Sequence, residues 1–120
     1  MAQHNDIGEI GEGLARDYLK NKGYQIREMN WQVSKNEIDI IAEDQEYLIF
    51  VEVKTRTTNY WGEPELFVNR QKQRFMVKAA NAYVQKTDSD KEVRFDIVAV
   101  LLSGGKHKIH HIEDAFYPLL

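Results

Sequence analysis

The sequence contains no cysteine, which excludes disulfide bonds, thiolate zinc sites and cysteine nucleophiles together. Any metal ion must therefore be bound by oxygen atoms or imidazole. No apolar run approaches membrane-spanning length, and the first residues have neither the basic start nor the apolar core of a signal peptide. These absences predict a cytoplasmic protein that has no membrane partner.

Positive charge does not dominate the composition either. The net charge of −3 argues against nucleic-acid binding by overall charge, but it leaves a local basic surface open. An acidic balance also suits carboxylates gathered around a divalent cation. With 120 residues, of which 42% are hydrophobic, the chain matches one ordinary globular domain, and we predict a single domain over residues 1–120.

Hydrophobic spacing predicts two helices and five strands. Helical spacing marks residues 6–22 and 69–86, with Asp6 and Glu9 resembling a capping box and Gly23 a helix stop. The first three strands are joined by short turns and should be antiparallel, whereas the fourth can return parallel to the third across the second helix. The predicted strands cover residues 24–31, 37–41, 47–54, 93–101 and 108–112. This order predicts an α/β fold with helices packed on a mixed sheet.

Three charged residues interrupt two of these strands. The strand over residues 47–54 is apolar until Glu52 and Lys54, which must share one face because strand side chains alternate. In the preceding strand Asp39 stands between isoleucines, where aspartate is disfavoured. If these strands pair through the turn between them, Asp39 can approach Glu52 and form an oxygen site for Mg²⁺ or Mn²⁺.

Two interpretations fit this pattern. Paired carboxylates could hold a cation for phosphodiester hydrolysis, with Lys54 acting on the attacking water and on transition-state charge. Alternatively, Lys54 neutralises Glu52 in a structural salt bridge and Asp39 faces solvent. Spacing alone does not decide between a catalytic and a structural role.

A resemblance to known proteins favours the catalytic role. Asp39 followed by Glu52-Val53-Lys54 resembles the metal site of the PD-(D/E)XK nuclease superfamily. Matches from Gly8 to about Phe116 resemble the bacterial YraN-like family, which is similar in architecture to archaeal Holliday-junction resolvases. The matching residues are Gly8, Gly11-Glu12, Ala15, Gly23-Tyr24, Asn30-Trp31, Glu37-Ile38-Asp39, Val51 to Arg56, Lys72-Gln73 and Arg94-Phe95-Asp96. The resemblance implies a restriction endonuclease-like three-layer fold, with about five strands flanked by helices.

The resemblance also implies roles for individual residues. Asp39, Glu52 and the Val53 carbonyl would be metal ligands, and Lys54 the catalytic cation. Glu12 would be a further acid that approaches the metal, often through water, unless it is simply a solvated helix residue. Gln73 would contact the scissile phosphate or Lys54.

Three functions remain open on this basis. The first is a nuclease that depends on Mg²⁺ or Mn²⁺ and acts on DNA, including branched or damaged structures. The second is a DNA-binding module of the same fold with little catalysis. The third, an interaction protein with purely structural acids, is disfavoured by the intact Asp, Glu and Lys set.

Other residues could extend this site. A basic stretch able to follow a phosphate backbone consists of Arg56, Arg70, Lys72, Arg74 and Lys78, although such a run is often only a solvated helix face. Tyr60 and Trp61 could stack on unpaired bases, but packing is favoured, and packing against a second copy would make a homodimer. His107, His110 and His111 are predicted to be ordinary surface residues outside the site.

Overall fold

The structure, a computed structural model, describes residues 3–57 and 68–116. Tyr60 and Trp61 therefore lie outside the described residues. The predicted order of two helices and five strands is confirmed. The elements are α1 (Gln3–Asn21), β1 (Gln25–Val33), β2 (Asn36–Glu43), β3 (Tyr47–Thr57), α2 (Arg70–Thr87), β4 (Glu92–Ser103) and β5 (Lys106–Ile112).

The helix ends follow from local chemistry, with one difference from prediction. Helix α1 begins at Gln3, so Asp6 lies inside its first turn instead of capping it, where its charge still favours the helix N-terminus. The end is as predicted, because Gly23 takes a left-handed φ of 96°. Helix α2 starts at Asn69, whose side chain accepts a 2.8 Å hydrogen bond from the Lys72 backbone N–H.

The five strands form one sheet in the order β1-β2-β3-β4-β5. Neighbours are antiparallel except β3 and β4, which run parallel over the whole of β3, with α2 in the connection between them. This confirms an α/β fold with a five-stranded mixed sheet and two helices, consistent with a three-layer restriction endonuclease-like arrangement.

Each face of the sheet is covered by one helix. Helix α1 buries Ala15 and Leu19 against Ile49 and Val51, whereas α2 buries its apolar side against Phe50 and neighbouring residues. Within the described ranges, neither helix combines the length and apolarity that a membrane span requires.

Strands β1 and β2 both change faces beside Asp39, and β1 has a further register shift between Ile26 and Glu28. Met29 packs in the cluster beneath α1, but Trp31 packs in the cluster beneath α2, and the isoleucines on either side of Asp39 are divided in the same way. Regular alternation would leave residues two apart on one face. The change of face lies at Asn30, whose φ of 50° is left-handed, and at Asp39. Both residues lie between the paired residues Met29–Ile40 and Trp31–Ile38. Asp39 therefore sits where the regular sheet is interrupted.

Candidate metal and nucleic-acid site

The acidic pair lies where β2 and β3 stop pairing through their backbones. The last residue pair between β2 and β3 consists of Ile40 and Val51. At the next positions the Asp39 carboxylate accepts a 2.8 Å hydrogen bond from the backbone N–H of Val53. Since the N–H and C=O of a strand residue face the same neighbour, the Val53 carbonyl faces this gap too. Asp39 and the Val53 backbone thus meet beside Glu52.

Helix α1 brings a further acid to this gap because it approaches β3 closely at Gly11. A Cβ atom at Gly11 would lie 1.8 Å from Thr55 Oγ1, so only glycine permits this approach. The next residue, Glu12, lines an open cleft of about 500 Å³ together with Asp39, Glu52, Val53 and others. The structure thus brings together all four residues predicted to form the metal site.

The electrostatics of the cleft are unfavourable to negative charge. Burial and the nearby charge of Glu52 raise the pKa of Asp39 to about 7, with a smaller contribution from Glu12. The Val53 N–H and the charge of Lys72 act in the opposite direction. A bound divalent cation would favour the ionised form of Asp39.

The donor set fits Mg²⁺ or Mn²⁺ only with help from other oxygen atoms. No set of three acidic or histidine side chains that could hold a metal occurs in residues 3–57 and 68–116. Lys72 Nζ lies 3.5 Å from Glu52 Oε1, so one carboxylate already has a cationic neighbour. Mg²⁺ is nevertheless commonly bound through one or two carboxylates, with water and substrate phosphate completing its shell. Asp39, Glu52 and the Val53 carbonyl match that pattern, with Glu12 suited to contact through water.

Two predicted catalytic residues are not among the described residues that line the cleft. Lys54 is partly buried on β3 and shares a face with Glu52, but it does not belong to the described lining of the cleft. Gln73 Nε2 donates a 2.7 Å hydrogen bond to the Val68 carbonyl and so holds the chain entering α2. Its contact with phosphate stays a prediction.

The basic residues divide into two groups. Arg70, Arg74 and Lys78 are exposed and follow each other every four residues, so they form a stripe along one side of α2. Arg56 lines the cleft, and Lys72 faces Glu52. The stripe and the cleft are therefore linked through the first turn of α2.

The prediction that the histidines are ordinary surface residues is wrong for His111. Its side chain is 2% exposed, and its Nε2 donates to fully buried Asp96 at 2.8 Å. Arg94 donates two further hydrogen bonds to the same carboxylate. The Nε2 atom of His110 is also buried, without a hydrogen-bond partner among the described residues. The sequence held a signal for this buried contact: Arg94 and Asp96 lie inside an apolar strand, and buried charged side chains need polar partners.

Sequence reasoning named Asn30 only as a residue that matches the YraN-like family and gave it no role in the site. Its Nδ2 donates to Glu12 Oε1 at 2.9 Å and to Glu37 Oε1 at 3.3 Å. The signal was faint, because a polar residue in an edge strand usually needs no special explanation. The structure alone reveals that Asn30 connects β1 to the helix that carries Glu12.

The fold and the cleft define an α/β protein with a candidate metal centre at the interrupted end of its sheet. The chain belongs to the uncharacterised protein family UPF0102, whose model matches residues 11–100, so the YraN-like resemblance is confirmed at family level. It is 50% identical over 117 residues to a UPF0102 protein of Flavobacterium psychrophilum, covering 98% of both chains. A UPF0102 protein of Bacteroides thetaiotaomicron is 43% identical over 120 residues, covering 100% of this chain and 99% of the other.

The raised pKa of Asp39 predicts that this carboxylate destabilises the metal-free fold. Because its pKa of about 7 exceeds the ordinary 3.8, the folded protein binds more protons than the unfolded chain between these values. Stability is therefore lost as the pH rises through about 7. We expect Asp39→Asn to raise the unfolding free energy at pH 8 by at least about 1 kcal/mol, or roughly 4 °C in Tm.

Thermal unfolding in EDTA at pH 5 and pH 8 measures this effect. The gain should be much smaller at pH 5, where Asp39 is already protonated. The exposed variant Asp17→Asn is the control for losing a charge. An equal loss of stability at both pH values would mean that Asp39 is a structural residue.

Proposed function

We propose that this protein is a metal-dependent nuclease of the PD-(D/E)XK superfamily that hydrolyses phosphodiester bonds in DNA, including branched or repair intermediates. The observation that carries the proposal is the meeting of Asp39, Glu52 and the Val53 backbone in an open cleft, with Lys54 on the same face as Glu52. The proposal includes a cytoplasmic location, and it leaves a homodimer open.

The residues divide the work of hydrolysis. Asp39, Glu52 and the Val53 carbonyl would hold Mg²⁺ or Mn²⁺, which supplies an activated water and neutralises developing phosphate charge. Lys54 would orient or deprotonate the attacking water and stabilise negative charge on the phosphate. Lys72, which pairs with Glu52 in this structure, would exchange that partner for a substrate phosphate, because its side chain is flexible.

A DNA-binding module with little catalysis is the second candidate. It is favoured by the Lys72–Glu52 ion pair and by the lack of a third clustered ligand within the described ranges. In that case the basic residues would bind DNA phosphates, and the acidic residues would only stabilise the fold.

A cleavage assay separates the two candidates. Labelled duplex, single-stranded and four-way-junction DNA are incubated with the protein and Mn²⁺, and EDTA provides the metal-free control. We expect cleavage that requires Mn²⁺ for at least one of these substrates. Binding without cleavage of any of them would favour the module, and neither binding nor cleavage would overturn both candidates.

DNA binding should depend on the basic stripe of α2. Replacing Arg70 and Arg74 with alanine removes two exposed cations, so the affinity should fall on every DNA sequence. If each cation neutralises one phosphate, the slope of log affinity against log salt should decrease by about 1.8. Fluorescence anisotropy at several salt concentrations measures both quantities.

The matched control replaces Lys20 and Lys86, which are also exposed cations. Lys86 lies in the last turn of α2, about 24 Å along the helix from Arg70. We expect this pair to change the slope much less. Equal slopes for the two double variants would show that the stripe is only a solvated helix face.

A further inference from the structure

We infer that Asn30 is a positioning residue, which holds Glu12 of α1 at the cleft and so sets the affinity of the metal centre. The inference rests on the proposed function, because it assigns Glu12 a place beside the proposed metal. It concerns a residue of β1 that the metal-site pattern itself does not contain.

The backbone of Asn30 is the first observation. Its φ of 50° lies in the left-handed region, although the residue is inside a strand. Non-glycine residues are uncommon there, and asparagine is among the few that tolerate it. Ser34 and Asp88 have similar φ values, but they lie at a strand turn and a helix end, where such values are ordinary.

Stability does not explain this conformation of Asn30. The side chain is exposed, and its hydrogen bonds to Glu12 and Glu37 are exposed as well. Exposed hydrogen bonds contribute little to folding, because water can replace them. Strained backbone of this kind is often retained at functional sites.

The position of Asn30 is the second observation. Like Asp39, it lies between the paired residues Met29–Ile40 and Trp31–Ile38, where both strands change faces. From there its amide reaches Glu12 Oε1 at 2.9 Å, across from the sheet to α1. Glu12 and Asp39 line the same cleft. Asn30 thus lies at the break in strand alternation beside Asp39, and it also orients Glu12 on α1.

The variant Asn30→Gly separates positioning from stability. Glycine adopts a left-handed φ readily, so Tm should stay the same or rise. The donor to Glu12 is lost, and the removal of such an outer partner commonly weakens metal binding by about tenfold or more. We therefore expect weaker Mn²⁺ binding by calorimetry together with unchanged or higher stability. Ser34→Gly, at a φ of 56° in the β1–β2 turn, is the matched control and should leave Mn²⁺ affinity unchanged.

A double-mutant cycle with Glu12→Ala tests whether the effect of Asn30 is transmitted through Glu12, because alanine cannot accept the hydrogen bond from Asn30. If Asn30 acts through Glu12, Asn30→Gly should weaken binding much less when Glu12 is already replaced. Full additivity would instead assign the effect to the backbone of β1 and overturn the inference. So would unchanged Mn²⁺ affinity in Asn30→Gly when Glu12→Ala weakens binding.

These results distinguish failure of the inference from failure of the proposed function. Absence of Mn²⁺ binding in the unsubstituted protein would overturn the metal centre, and the role of Asn30 with it. Normal binding that is insensitive to Asn30 but sensitive to Asp39 would leave the metal centre standing and overturn the positioning role alone.

Discussion

Replacing Lys54 with alanine should lower the cleavage rate about a hundredfold to a thousandfold, or roughly 3–4 kcal/mol in activation free energy. Lys54 is proposed to act on the attacking water and on transition-state charge, whereas Asp39 and Glu52 are proposed to hold the cation. Mn²⁺ affinity should therefore stay the same, or rise slightly because a repelling ammonium is gone. Single-turnover cleavage and calorimetry on the same preparation measure the two effects separately.

The control for this experiment is Lys35→Ala, which removes an exposed lysine in the turn between β1 and β2. Both variants must first show cooperative unfolding, because Lys54 is partly buried. Equal cleavage by Lys54→Ala and the unsubstituted protein would mean that the lysine has no catalytic role. A parallel loss of cleavage and Mn²⁺ binding would instead place Lys54 in the support of the metal site.

Replacing Asp96 with asparagine should destabilise the fold by about 3–5 kcal/mol, because it leaves the Arg94 charge buried without its main partner. Burial by itself raises the pKa of Asp96, but hydrogen bonds from His111 and Arg94 outweigh it, and the net pKa is lowered. The stability that Asp96 contributes is therefore present above the ordinary carboxyl pKa of about 4. It is lost as the pH falls through the lowered value.

Urea unfolding at pH 7 and at acidic pH measures this contribution. The difference between Asp96→Asn and the unsubstituted protein should be large at pH 7 and smaller in acid. The exposed pair of Arg16 and Asp17 is the comparison, since Asp17→Asn should change stability by less than about 1 kcal/mol. A similarly small effect for Asp96→Asn would mean that Tyr24 and Glu113, which also contact Arg94, compensate for the loss.

Much of the fold could be predicted because local signals agreed with the final packing. Helical periodicity located both helices, and the left-handed stop at Gly23 ended the first. A long helix between the third and fourth strands permitted their parallel pairing. The proximity of Asp39 and Glu52 was also predictable, because the short turn between β2 and β3 fixes which residues lie opposite each other.

The remaining features depend on contacts between residues distant in sequence. His111 contacts Asp96 of β4 and Tyr18 of α1, which are distant in sequence, whereas its local sequence resembles an exposed edge strand. The change of face at Asn30 was hidden for a similar reason, since period-two alternation assumes an uninterrupted strand. The start of α1 was misplaced because Asp6 is favourable both as a cap and inside the first turn.

The same irregularity affects how the sheet meets other chains. Strands β1 and β5 form the two sides of the sheet, and each has only one strand partner among the described residues. Such strands can recruit another chain and start aggregation unless charge or a local distortion discourages it. The left-handed Asn30 distorts β1, and the exposed side chains of Lys106 and Lys108 put positive charge on β5. A distorted strand and exposed lysines are both features that discourage another chain from pairing with an open strand edge.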